Sequence, residues 1–99
     1  MRYDFDPGKD SSNLSKHGLS LGAAAELSWD VALVWVDDRT DYGEVRMVAL
    51  APIGEILFFV AFVDRETELR ITSLHRANRP EVNHHVKAIN EGQLENADN

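Results

Sequence analysis

Arg70, Ser73, His75 and Arg76 fall within seven consecutive positions, and each can bind an anion or move a proton. Histidine exchanges a proton near neutral pH. Arginine is a permanent planar cation whose fork pairs two phosphate oxygens. Residues 70–90 hold Arg70, Arg76, Arg79 and Lys87 against the single acid Glu81, in a chain whose net charge is −7. His75, His84 and His85 lie in the same segment. A polyanion site is therefore expected around this segment, while the acidic whole argues against non-specific nucleic-acid binding through the overall field. Earlier in the chain, Lys9, Asn13, Lys16 and His17 fall at spacings that share one helix face. Glu44 and Arg46 share strand parity and so point to one side. There the carboxylate is expected to hold the guanidinium in place, because an arginine neighbour makes a carboxylate a weak base. Taken singly, each group has a plainer reading. Strand arginines form surface ion pairs, single histidines are solvated or cap helices, and Lys9, Asn13 and Lys16 make a solvated helix side.

Other chemistries lack their residues. The chain has no cysteine, which excludes a disulfide scaffold, a thiolate metal site and a thiol nucleophile. His84 and His85 are adjacent, so on a helix they point about 100° apart and do not readily share one ion. No metal and no cofactor is expected. The longest apolar run, 56–63, falls well short of the ~20 residues of a membrane span. The first residues, Met1-Arg2-Tyr3-Asp4, lack the apolar stretch of a secretion signal, and a cytoplasmic location is expected.

The elements that must position these groups can be read along the chain. Its 99 residues suit one small domain, expected over 1–90, and 43% hydrophobic residues suffice for one core. Tyr3 and Phe5 alternate with polar residues and predict a short strand or extended arm. Asp6-Pro7 opens a helix that Gly18 ends, with Leu14 as its apolar anchor. Ser20 caps a second short helix over about 21–28. Four strands are predicted at 31–36, 45–51, 56–63 and 69–74, joined by short turns and therefore antiparallel, with 56–63 central because it is apolar throughout. Pro80 starts a last helix, to about Asn90, with Val82, Val86 and Ile89 as its buried stripe. Residues 91–99 read as a frayed or disordered tail. The class is α+β: a small antiparallel sheet of about four strands, two N-terminal helices and one C-terminal helix. On a regular strand Arg70 and Arg76 share a face while Arg70 and His75 oppose one another, unless the strand ends, bends or bulges near Leu74.

With this layout in view, the chain resembles the BrnT family of toxins from bacterial type II toxin–antitoxin pairs. The first element of the resemblance is Phe5-Asp6-Pro7-x-Lys9-x-x-x-Asn13-Leu14-x-Lys16-His17-Gly18-Leu19-Ser20, followed by Ala23–Ala25. The second is Glu44-x-Arg46, and the third is Arg70-Ile71-x-Ser73-x-His75-Arg76-Ala77. The resemblance implies a compact RelE-like fold, an mRNA-cleaving ribonuclease that arrests translation, and neutralisation by a cognate antitoxin, as a homodimer or a heterotetramer with it. Metal-free ribonuclease chemistry needs a base for the 2′-OH, cations for the phosphorane and an acid for the leaving 5′ oxygen. Arg70 and Arg76 are the candidates for phosphate, His75 and His17 for proton transfer, and Glu44 with Arg46 for positioning. Lys16, Lys9, Asn13, Ser73 and Arg79 are candidates for RNA binding. Three features depart from the family pattern: His75 stands where Arg or Lys is usual, Leu74 replaces a small Ala, and the chain past Ala77 is less basic. A member that kept partner binding without cleavage would also fit these departures.

Overall fold

The computed structural model describes residues 2–37 and 44–92. The expected turn around 38–43 and most of the expected tail lie outside the described residues. The order is β1 (Arg2–Asp4), α1 (Pro7–His17), two 3-10 helices (Leu21–Glu26 and Trp29–Val31), β2 (Leu33–Asp37), β3 (Arg46–Ile53), β4 (Ile56–Asp64), β5 (Glu68–Arg76) and α2 (Arg79–Asn90). The five strands make one sheet in the order β1-β5-β4-β3-β2. Strands β2 to β5 pair antiparallel with their neighbours, and the apolar β4 is central, as expected.

Two parts of the architecture differ from the sequence expectation. The opening segment takes the short-strand alternative but joins the sheet as a fifth strand, pairing parallel with β5 (Arg2 opposite Glu68, Asp4 opposite Arg70), so the sheet is mixed rather than antiparallel throughout. The second N-terminal helix is a 3-10 helix ending at Glu26. Its side chains Leu21 and Ala24 are fully buried on the sheet.

Both sheet faces carry core. One face packs Ala49, Ala51, Val60, Phe62, Leu69, Ile71 and Leu74 against Leu21, Ala24 and Leu27 of the 3-10 segment. Trp29 closes it, edge-on to Phe62 at 5.3 Å and donating its indole N–H to the carbonyl of Ala24 at 3.0 Å. The opposite face packs Leu33, Leu50, Trp35, Leu57 and Phe59 against Ala88 and Ile89 of α2. Helix α2 is turned one residue from its expected stripe. Val82 and Val86 are exposed, and Glu81, His85, Ala88 and Ile89 face inward. Its first turn explains this, since the Asn78–Glu81 capping box fixes the start of the helix with Glu81 directed towards β5.

A bulge in β5 decides which side chains share a face. Ala61 lies opposite Ser73 but Phe62 lies opposite Ile71, so Thr72 is the extra residue. Its hydroxyl donates to the carbonyl of Ala61 at 3.2 Å. One inserted residue reverses the alternation. Leu74 thereby joins Ile71 in the first core rather than opposing it. On an unbroken strand Ile71 and Leu74, three residues apart, would face opposite ways; the bulge lets both be buried in one core.

Candidate functional site

Helix α1 begins at Asp6, whose carboxylate accepts from the Lys9 N–H at 3.0 Å, and ends at Gly18, with φ of 71°. A left-handed C-terminal residue suits glycine because it has no Cβ to clash. The helix does not lie on a face of the sheet. It covers the edge of β5 that the three-residue β1 leaves open. Asn13 makes this contact. Its amide donates to the carbonyl of Leu74 at 2.8 Å and to that of Leu19 at 2.9 Å, and its carbonyl accepts from the Leu74 N–H at 3.1 Å. The side chain thus pairs with the strand as another strand would. An unpaired edge N–H and C=O left buried would be costly. Asn13 is buried and Leu14 is half exposed, so the anchor of α1 is the amide and not the leucine. Asn13 is buried with its amide bonded inside the protein, and it clamps α1 to β5.

The edge position carries the end of α1 to the end of β5. The rings of His17 and His75 come to 5.2 Å between centroids, tilted by 37°. Beneath His75 lies Phe59, nearly parallel at 4.7 Å and 13°. The Nε2 of His75 meets the Glu81 carboxylate at 3.1 and 3.3 Å. Glu81 also accepts from the backbone N–H of Asn78 at 2.9 Å, and the Asn78 side chain returns the bond to the Glu81 N–H at 3.0 Å. Helix end, strand end and helix start therefore converge on one pair of imidazoles. Lys16 adjoins His17, Arg76 adjoins His75, and Arg79 opens α2; all three are exposed. Among the described residues, none of the three takes part in an ion pair.

The arginines do not form the single cluster expected. The bulge places Arg70 opposite Val63 and Arg76 opposite Phe58, on different faces of the sheet. Arg70 and His75 share a face instead, and Ser73, opposite Ala61, shares it with them. Arg70 stands about 13 Å along the sheet from His75, the four register steps from Val63 to Phe59 at roughly 3.3 Å each. Arg46 precedes Met47, the residue opposite Phe62, so it stands level with Val63 and on the same side as Arg70. The two are two strands apart, about 10 Å. Arg70 is paired with Asp4 of the adjacent β1. The hydrogen bond and charge of the Arg70 guanidinium hold the Asp4 carboxyl below its ordinary value. Asp37 lies opposite Arg46 in register. Glu44 lies outside β3, and its carboxylate meets Arg65 at 3.5 Å, so the expected Glu44–Arg46 strand pair does not form as a strand neighbour. Lys9 is exposed on the first turn of α1, away from His17 by eight positions.

Elsewhere, His84 packs on Trp35 at 5.1 Å between ring centroids. Desolvation, and then the neighbouring His84, lowers the pKa of His85. Among the described residues, no three His, Asp or Glu side chains are grouped to hold a metal ion. No helix among them is long and apolar enough to cross a membrane.

Sequence reasoning missed Glu81 and Phe59 as parts of this site. A signal for Glu81 was present: Asn78-Arg79-Pro80-Glu81 has the spacing of a capping box, which fixes where the carboxylate points. Phe59 gave none, because its role depends on which β4 side chain falls opposite His75.

No curated protein matches this chain. The family model described as the ribonuclease toxin, BrnT, of type II toxin–antitoxin systems matches residues 5–81. That span contains α1, all of β2 to β5 and the start of α2 as far as Glu81, and hence every group around the imidazole pair. The chain belongs to the BrnT family of ribonuclease toxins.

Proposed function

We propose that this protein is the toxin of a type II pair and cleaves mRNA without a metal, with His17 and His75 as the proton-transfer pair. The observation that carries the reading is the approach of the two rings, from distant parts of the chain, to 5.2 Å. One imidazole takes the proton of the ribose 2′-OH, whose oxygen attacks the adjacent phosphorus. The other gives a proton to the leaving 5′ oxygen, so a 2′,3′-cyclic phosphate and a 5′-hydroxyl are formed. Positioned acid–base pairs of this kind contribute about 10²–10⁴-fold each. Lys16, next to His17, and Arg79, at the start of α2, supply cations for the phosphorane; Arg76, which the register turns to the face opposite His75, contacts the RNA backbone outside the reacting centre. Arg46 and Arg70, at the other end of the sheet face, bind the RNA backbone further along, with Ser73 between the two regions and Glu44 and Lys9 at the margins. A cognate antitoxin neutralises the protein by binding it, the toxin assembling as a homodimer or in a heterotetramer with the antitoxin.

The test is cleavage of single-stranded RNA by purified protein in the presence of a chelator, together with growth on induced expression with and without the neighbouring gene. Cleavage that survives chelation, and growth arrest relieved by the neighbour, are expected. Activity lost with chelator overturns the metal-free mechanism. The Arg70–Asp4 pair favours a second reading, since it already neutralises one of the family-like arginines. An intact protein that binds the neighbour's product tightly but cuts no RNA would be a binding module.

A further inference from the structure

We infer that Glu81 is a positioning residue that locks His75 in its Nε2–H tautomer and leaves Nδ1 as the ring's working nitrogen; this rests on the proposed role of His75. An ionised carboxylate only accepts hydrogen bonds, so the nitrogen facing Glu81 carries a proton. A neutral imidazole has one N–H and one lone pair, so the lone pair is then on Nδ1. Among the described residues, no other hydrogen bond reaches the His75 ring.

Three contacts fix the geometry. Oε1 of Glu81 accepts from both the Asn78 N–H, at 2.9 Å, and His75 Nε2, at 3.1 Å. The carboxylate is therefore held by the backbone at the start of α2 and does not depend on the ring for its place. Phe59 lies nearly parallel beneath the imidazole at 4.7 Å, which restricts tilting of the ring. Glu81 and His75 are both largely screened from water, with side-chain exposures of 20% and 23%, so solvent competes weakly for the bond. A capping box alone requires only the two bonds between Asn78 and Glu81. The third bond, to the histidine, is what a purely helix-capping glutamate would lack.

The discriminating variants are Glu81→Ala, Glu81→Gln and Asn78→Ala, each checked for folding by circular dichroism. Two readouts are taken: the His75 ring tautomer from side-chain ¹⁵N NMR of the protein without RNA, and kcat and KM on a single-stranded RNA oligonucleotide. In wild type the Nε2–H form is expected. Glu81→Ala should populate the other tautomer and lower kcat by about 10–100-fold, the usual cost of removing a partner that orients a working histidine, with KM little changed. Glu81→Gln keeps an oxygen where Oε1 stands and should restore both the tautomer and most of kcat. Asn78→Ala removes the other half of the box and should keep the wild-type tautomer and kcat. An unaltered tautomer in Glu81→Ala overturns the inference, as does Asn78→Ala reproducing the kcat loss. The NMR readout separates this claim from the proposed chemistry. A locked tautomer in a wild-type protein that cuts no RNA supports the lock and overturns the chemistry. Freely exchanging tautomers in a protein that does cut RNA overturn the lock and leave the chemistry standing.

Discussion

At one end of the sheet, Arg46 and Arg70 stand level on one face, with Asp37 opposite Arg46 and Asp4 paired to Arg70. At the other end, His17 and His75 meet, with Lys16 next to His17 in the chain and Arg79 at the start of α2, and Glu81 is engaged by His75 and by a helix cap. The arginine end is held by secondary structure through strand neighbours in register. The histidine end is assembled from three elements that converge only in the tertiary fold. Both ends carry positive charge on an acidic protein, but they differ in what that charge is free to do. Arg70 already answers an acid of its own sheet, so phosphate must compete with Asp4 for it. Lys16, Arg76 and Arg79 face no such competitor among the described residues. A count of arginines in the sequence does not distinguish these situations; their partners do.

The strongest way to break this comparison is to remove each end separately. His75→Ala and His17→Ala should lower kcat for RNA cleavage by about 10²-fold or more, as loss of a general acid or base does. Arg46→Ala and Arg70→Ala should cost about 10-fold, and mostly in KM, as loss of contacts made equally in ground and transition states does. Steady-state kinetics on one oligonucleotide with all four variants decides it. If the arginine variants lose kcat by 10²-fold while the histidine variants keep it, the chemistry lies at the arginine end.

Next in size is the joint between α1 and the sheet. Asn13→Ala leaves the N–H and C=O of the fully buried Leu74 without their partner. Each orphaned buried group costs about 1–3 kcal/mol. A loss of about 2–4 kcal/mol in urea unfolding is expected, a large part of the ~5–15 kcal/mol that holds a domain. His17 rides on the same helix, so cleavage should fall with it. Lys9→Ala, on the exposed first turn, should change stability by less than about 0.5 kcal/mol. Equal effects from the two substitutions would mean that Asn13 is not the clamp.

These two regions also show which parts of the molecule could be read from the chain. The boundaries of α1 were legible because Asp6-Pro7 and Gly18 act locally, through a cap, a fixed φ and a left-handed turn. The central place of β4 was legible because eight successive apolar residues need cover on both faces. The approach of His17 to His75 was conceivable but not derivable, since it depends on α1 covering a strand edge rather than a face. The bulge was not legible either. Nothing in Glu68–Arg76 marks Thr72 as the extra residue, and the parity of everything after it follows from that one insertion. The pairing of β1 with β5 joins residues more than sixty positions apart, and no local pattern encodes it.

The smallest expected effect concerns the arginine end and its dependence on pH. The folded state lowers the Asp4 carboxyl below its ordinary value, chiefly through the hydrogen bond and charge of Arg70. A group depressed on folding binds more protons when unfolded, so its stabilising contribution is complete above its unfolded value, about 3.9, and is lost as pH falls through the folded one. The pair is partly exposed, with side chains 30% and 38% accessible, so screening by water and salt keeps its effect small. Asp4→Asn should therefore be slightly less stable than wild type at neutral pH and low salt. The difference should shrink in high salt and vanish in strong acid, when wild type is protonated too. Thermal unfolding of both proteins across acidic pH measures this. The same substitution also frees Arg70. If Asp4 competes with phosphate for that guanidinium, Asp4→Asn should lower KM for RNA while leaving kcat unchanged. An unchanged KM would mean that Arg70 is structural, and that the arginine end serves the fold more than the substrate.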